Sequence, residues 1–343
     1  MKAMILERIC DMAVDKAPLK SVEIPMPVPA ENEILIKIAA CGVCHTELDE
    51  IEGRCSPSFF PVIPGHQVAG RVEAKGKKAE KFSAGDSVAA GWIFSCCGKC
   101  RFCLNGTENL CPDFKATGRD ADGGYAEYMA INENFAYHVP KIFSYAEAAP
   151  LLCAGAVGWR SMKLAGIDDG QNIGLAGFGA SGHLVIKVIR KKYPGSKVFV
   201  FSRTEEERNF AKQLGAFWTG NFEQETPQEL NCIIDTTPVW APVVSTLKNL
   251  ESGGRFVINA IRKESSDINE LAKISYQQDL WMEKEIKSVA NITPKDIEEF
   301  LELAAEIPIK PEIEEFTLEE ANNALLEIKF RKIRGAKVLK IGH

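Results

Sequence analysis

Along this chain the spacing of apolar residues changes character, and the change divides the molecule. In the first third, Glu33-Ile-Leu-Ile-Lys-Ile-Ala and Val68-Ala-Gly-Arg-Val-Glu-Ala predict strands, separated by turn residues such as Ala84-Gly-Asp. From Tyr145 the pattern turns helical and rich in small residues, through Tyr145-Ala-Glu-Ala-Ala-Pro-Leu-Leu-Cys-Ala-Gly. A strand is then expected at Asn172–Ala176, followed by a glycine turn and a helix whose apolar face is Leu184, Val185, Val188 and Ile189. Strand Lys197–Phe201, helix Glu205–Leu214 and strands Cys232–Asp235 and Arg255–Asn259 continue the alternation. Continuous apolar strands between helices indicate a parallel sheet covered on both faces. The last fifty or so residues predict an acidic helix, Pro294–Glu306, and a final strand from Ala336. The fold class is therefore α/β, a β-rich domain joined to a doubly wound parallel sheet, and 343 residues suffice for two such domains.

Composition narrows the partners. A net charge of −6 argues against nucleic acid, and no apolar run approaches the ~20 residues that span a bilayer. Charges run through the first residues, MKAMILERICDMAVDK, which argues against export. Eleven cysteines, an odd number and clustered, suit metal ligation in a reducing cytoplasm better than a disulfide framework.

Four of them, Cys97, Cys100, Cys103 and Cys111, lie within loop 96–112 at spacing C-x2-C-x2-C-x7-C. That spacing lets one loop surround a zinc ion with four thiolates, leaving no open position, so the metal is structural. The turn after the strand ending at Ala176 reads Gly177-Phe-Gly179-Ala-Ser-Gly182. A strand before G-x-G-x-x-G and an amphipathic helix after it is the context of a dinucleotide site, with the pyrophosphate at the helix N-terminus. About 20 residues on, where an acidic residue would bind the ribose of NAD, the chain has Ser202 and Arg203. A hydroxyl and a guanidinium suit a 2′-phosphate, so NADP is expected ahead of NAD, with NAD still possible.

These motifs occur in a telling order: Gly42-Val-Cys44-His45-Thr46-Glu47-Leu, Gly65-His66-Gln67, the four-cysteine loop, Leu151-Leu-Cys153-Ala-Gly and the glycine turn. The whole chain resembles the zinc-dependent medium-chain alcohol dehydrogenases, in the bacterial and archaeal branch with Pro-Gly-His-Gln and Gly-Phe-Gly-Ala-Ser. The resemblance implies a GroES-like catalytic domain, residues 1–154 plus 290–343, and a Rossmann domain, residues 155–289. It implies a second, catalytic zinc on Cys44, His66 and Cys153; the family pattern selects Cys44 over the nearby Cys41. In such an enzyme a zinc-bound alkoxide expels hydride to the nicotinamide, and zinc polarises the carbonyl in the reverse direction. The resemblance makes Thr46 the hydroxyl that starts the proton relay, His45 a contact of the cofactor pyrophosphate and Trp92 a wall of the substrate pocket. It further implies a homo-oligomer, dimer or tetramer, acting on a small alcohol or aldehyde.

The chain departs from the family at four points. Gln67 replaces a glutamate, Glu47 an aspartate that orients the ligand histidine, and Asp49 stands where many members place the relay histidine. The family's phosphate-contacting arginine aligns with Ala336, leaving Arg334 as its substitute. The reading is a zinc alcohol dehydrogenase with two zinc ions per subunit, acting on primary alcohols and aldehydes with NADP(H). A polyol or sugar dehydrogenase, or a non-catalytic NADP-binding zinc protein, are the alternatives. Cys153 weighs against the first, because polyol relatives often carry glutamate there, and the complete ligand set weighs against the second.

Overall fold

The computed structural model describes residues 1–330 and 335–342 and divides them into two compact units, 1–156 with Ile292 onward, and 157–291. The first unit opens with an antiparallel pair, β1 (Lys2–Leu6) and β2 (Leu19–Glu23). The long β3 (Glu33–Val43) leads into a short helix, α1 (His45–Ile51), and then β4 (Val68–Lys75) and β5 (Ser87–Ala90). The cysteine loop leaves between β6 (Ile93–Ser95) and β7 (Lys115–Ala116), which pair with each other, and carries one turn of helix, α2 (Arg101–Leu104). Strands β8 (Tyr128–Asn132) and β9 (Ala136–His138) and helix α3 (Tyr145–Pro150) complete the first pass.

The chain crosses to the second unit in α4 (Ala156–Ala165). There β10 (Asn172–Ala176), α5 (Ala180–Lys192), β11 (Lys197–Phe201), α6 (Glu205–Gln213), β12 (Trp218–Gly220), β13 (Leu230–Asp235), α7 (Ala241–Leu247), β14 (Leu250–Ile258) and β15 (Glu285–Ser288) follow. The chain then returns through α8 (Pro294–Glu306), β16 (Ile313–Thr317), α9 (Ala321–Lys329) and β17 (Ala336–Lys340).

In the first unit the sheet order is β16-β17-β3-β4-β5-β9, with β8 also on β3. Ile34, Ile36 and Ile38 alternate along β3 and meet Val68, Val72, Met129, Ile131 and Leu325 in its core. The register seats Cys41 of β3 opposite Val68, so the ends of β3 and β4 bring α1 and the Gly65-His66-Gln67 segment together. Gly65 has φ +100, and a Cβ there would stand 2.4 Å from the Tyr125 ring, so only glycine fits the turn before His66.

The second unit is a six-stranded parallel sheet in the order β12-β11-β10-β13-β14-β15. Strand order reverses between β10 and β13, the crevice where open α/β sheets bind ligands. Val198, Phe199, Val200 and Phe201 are all fully buried, as a strand covered on both faces requires. The short strands β12 and β15 have no clear apolar pattern and are not anticipated by the sequence reading; β15 is exposed at all four residues.

Candidate functional site

Helix α1 is built around its first residue. Cys44 is the N-cap, and its sulfur accepts the Thr46 N–H at 3.3 Å. Glu47 closes the capping box, its Oε2 accepting the Cys44 N–H at 2.8 Å. Its other oxygen, Oε1, lies 2.6 Å from His66 Nδ1, with both side chains wholly buried. One glutamate thus caps the helix and orients the imidazole, whose Nε2 sits 3.7 Å from Cys44 Sγ. Cys153 completes the group from a single π-helical turn, Leu151–Gly155, formed where Pro150 ends α3. The donor atoms of Cys44, His66 and Cys153 all lie within 4.8 Å of one another. Donors ~2.3 Å from a tetrahedral ion stand roughly 3.7 Å apart, so the spacing fits zinc with one position left over.

Electrostatics agrees with that fit. The neighbouring Cys153 sulfur, then burial and the Glu47 charge, push the Cys44 thiol well above its ordinary range. Burial opposes charge on His66, but Glu47 and Cys44 outweigh it and push the imidazole up. A divalent cation offsets this crowding by taking the place of the protons. Cys41 is buried on β3, outside the group, with its sulfur directed to the Gly42 carbonyl.

The same geometry recurs in the cysteine loop. Cys97 and Cys111 sulfurs are 3.5 Å apart, Cys100 and Cys103 3.6 Å, and Cys97 and Cys103 3.9 Å. Backbone N–H groups of Lys99 and Cys100 hold the Cys97 thiol down to about 6, whereas burial and its cysteine neighbours push Cys103 up. These two groups are the candidate metal clusters among the described residues.

Other predicted residues surround the triad. Thr46 and Gln67 are buried, and His45 is exposed. Trp92 packs edge-on to His66, ring centroids 5.0 Å apart, and carries the Arg119 guanidinium over its ring at 5.4 Å. Asp49 is buried and accepts from Arg54 Nε at 2.7 Å, an ion pair that the sequence reading lacks.

In the second unit, Gly177 has φ +87, and a Cβ would meet Thr236 Oγ1 at 2.6 Å. Gly179 caps α5, whose first turn includes Gly182. Ser202 follows β11 and is buried, its hydroxyl donating to Glu207, while Arg203 is exposed. Arg334 lies outside the described residues.

Three features escape sequence reasoning. Glu50 is buried on α1 with neither carboxylate oxygen hydrogen-bonded. Arg119 links the Trp92 ring to Asp120 and, at 3.4 Å, to the Cys55 sulfur. Lys263 is buried at the C-terminal end of the parallel sheet, donating to Asp235 and to the carbonyls of Thr237 and Val239. A lysine 28 residues from its aspartate partner leaves no periodic signal; only an aspartate at the end of an apolar strand, Cys232-Ile-Ile-Asp235, hints at it.

Comparison with known proteins adds an independent line. The alcohol dehydrogenase GroES-like domain family matches residues 30–141. The protein named "Probable alcohol dehydrogenase AdhA" of Mycobacterium tuberculosis is 38% identical over 96% of this chain and 94% of its own length. An alcohol dehydrogenase of Geobacillus stearothermophilus is 31% identical over 99% of this chain and all of its own. In fold, the chain is similar to the cobalt- and zinc-bound thermostable alcohol dehydrogenase of Pyrobaculum aerophilum, with TM-score 0.87, 24% identity and 99% of each chain covered. No described helix is long and apolar enough to cross a membrane. By sequence over its whole length, and with both units built as these likenesses require, the chain belongs to the zinc-dependent medium-chain alcohol dehydrogenases, oxidoreductases acting on CH–OH groups.

Proposed function

We propose that the chain reversibly oxidises primary alcohols to aldehydes with NADP as preferred acceptor, at a zinc held by Cys44, His66 and Cys153. The observation that carries this reading is the spacing of those three donors, which fits a tetrahedral ion with one free position. When bound, zinc supplies Lewis acidity toward the alcohol oxygen and the nicotinamide supplies the hydride acceptor.

The chain's own residues do the rest. Cys44 and Cys153 bring two negative charges to the centre, and Glu47 fixes the imidazole of His66. Thr46, tied by its N–H to the Cys44 sulfur, offers a hydroxyl two residues from a ligand to take the alcohol proton. The relay then runs toward Asp49, whose Oδ1 is held by Arg54. Trp92, packed against His66, forms a bulky wall that favours slender substrates. Cys97, Cys100, Cys103 and Cys111 hold a second, structural zinc, for about two per chain. His45 and the Gly177 turn serve the cofactor, and the exposed Arg203 supplies a cation for a 2′-phosphate.

We also infer a homo-oligomer formed through β15, an outer strand exposed at all its residues, with Trp281 and Met282 exposed just before it. Clustered thiols that serve as zinc ligands suit the reducing cytoplasm.

The test is steady-state kinetics with NADP and NAD on ethanol, benzyl alcohol and sorbitol. Primary-alcohol oxidation with NADP is expected, and Arg203→Ala should raise the KM for NADP about tenfold or more while leaving that for NAD. Oxidation of sorbitol alone, or equal effects of Arg203→Ala on both cofactors, would refute the respective halves.

A further inference from the structure

The tip of β11 carries an anion as well as a cation. Ala176 of β10 pairs with Phe201 of β11, and the Gly177 N–H donates to the Phe201 carbonyl at 2.9 Å. Ser202 therefore leaves its strand beside the glycine turn. It is 1% exposed, and its hydroxyl donates to Glu207 Oε2. Glu207 is the third residue of α6, and its N–H is capped by Thr204 Oγ1 at 3.2 Å. The next residue, Arg208, holds the carbonyls of Ser202 and Arg203 at 2.8 and 2.9 Å. The first turns of α6 thus fix the main chain of the strand tip and seat a carboxylate on its one hydroxyl, while the Arg203 side chain reaches solvent.

We infer that Glu207 is a determinant of cofactor selectivity: its carboxylate, seated on Ser202, opposes the 2′-phosphate that Arg203 attracts, and so keeps NAD in use beside NADP. This rests on the reading of the Gly177 turn and Arg203 as the site of the adenosine ribose. The physics is a competition of charges. Ser202 cannot donate to a phosphate while it donates to Glu207. An ionised carboxylate a few ångströms from a doubly charged phosphate repels it, whereas the same carboxylate accepts readily from a ribose hydroxyl. Substitution by glutamine keeps the shape and an acceptor for Ser202 but removes the charge, and α6 keeps its Thr204 cap.

The experiment measures dissociation constants of NADPH and NADH, by fluorescence titration of the zinc-loaded enzyme, for the wild type, Glu207→Gln and Arg203→Ala. Glu207→Gln should tighten NADPH about tenfold and leave NADH unchanged or weaker. The gain should shrink in high salt, which a purely structural role of Glu207 would not produce. If Glu207→Gln leaves the NADPH-to-NADH ratio unchanged while Arg203→Ala weakens NADPH alone, the role of Glu207 is wrong and the cofactor reading stands. If Arg203→Ala changes both cofactors alike, the cofactor reading fails and takes this inference with it.

Discussion

Helix α1 buries three carboxylates in seven residues, and their different partners decide what each can do. Glu47 spends one oxygen on the helix cap and the other on His66, and Asp49 is paired with Arg54. Glu50 has no such partner: burial, then the charge of Glu47, pushes its carboxyl well above the ordinary range. Its unfolded pKa is about 4.3, so folding takes up a proton there. The cost is absent below that pH and grows as pH rises toward the folded pKa. Glu50→Gln, which mimics the protonated form, should therefore raise the Tm of the zinc-free enzyme clearly at about pH 8 and little at about pH 5. Thermal melts at the two pH values check this; an equal shift at both would mean that Glu50 does not take up the proton.

At the scale of elements, the cysteine loop is the part least able to stand alone. Helix α2 has no buried residue, Leu104 is 74% exposed and Leu110 is also exposed, so no apolar core holds residues 97–111. Four sulfurs at 3.5–3.9 Å take the place of that core. Cys103→Ser should lower zinc content by about one per chain and make the loop a site of limited proteolysis. The sheet around β3 has its own apolar core and should persist, read as unchanged far-UV circular dichroism. A loop that stays resistant after losing its zinc would contradict this account. The contrast with α5 is instructive: a 13-residue helix with seven buried residues, Gly182 to Ile189, needs no metal and announces itself by periodicity.

For the molecule as a whole, the parts legible in the sequence are those whose cause is local. The glycine turn, the strands β10 and β11 and the four-cysteine spacing each follow from neighbours within about fifteen residues. The triad does not. Cys44, His66 and Cys153 lie on three separate elements, joined by the β3–β4 register and a π-helical turn that no periodicity predicts, so only the resemblance to a family reaches them. Residue contacts leave little trace either: the Asp49–Arg54 pair and the Ser202–Glu207 bond each span only five residues but join side chains of no periodic pattern, and the Lys263 network joins residues 28 apart. The short edge strands β12 and β15 were invisible for a related reason, since their pairing comes from the sheet and not from their composition.

The central claim, chemistry at a zinc on the triad, is tested most directly by the rate of NADP-dependent benzyl alcohol oxidation in Cys153→Ser beside the wild type, with zinc counted in both. The account predicts about two zinc ions per wild-type chain, about one in the variant, and a rate at least about a thousandfold lower. Near wild-type turnover in a variant that has lost that zinc would contradict it.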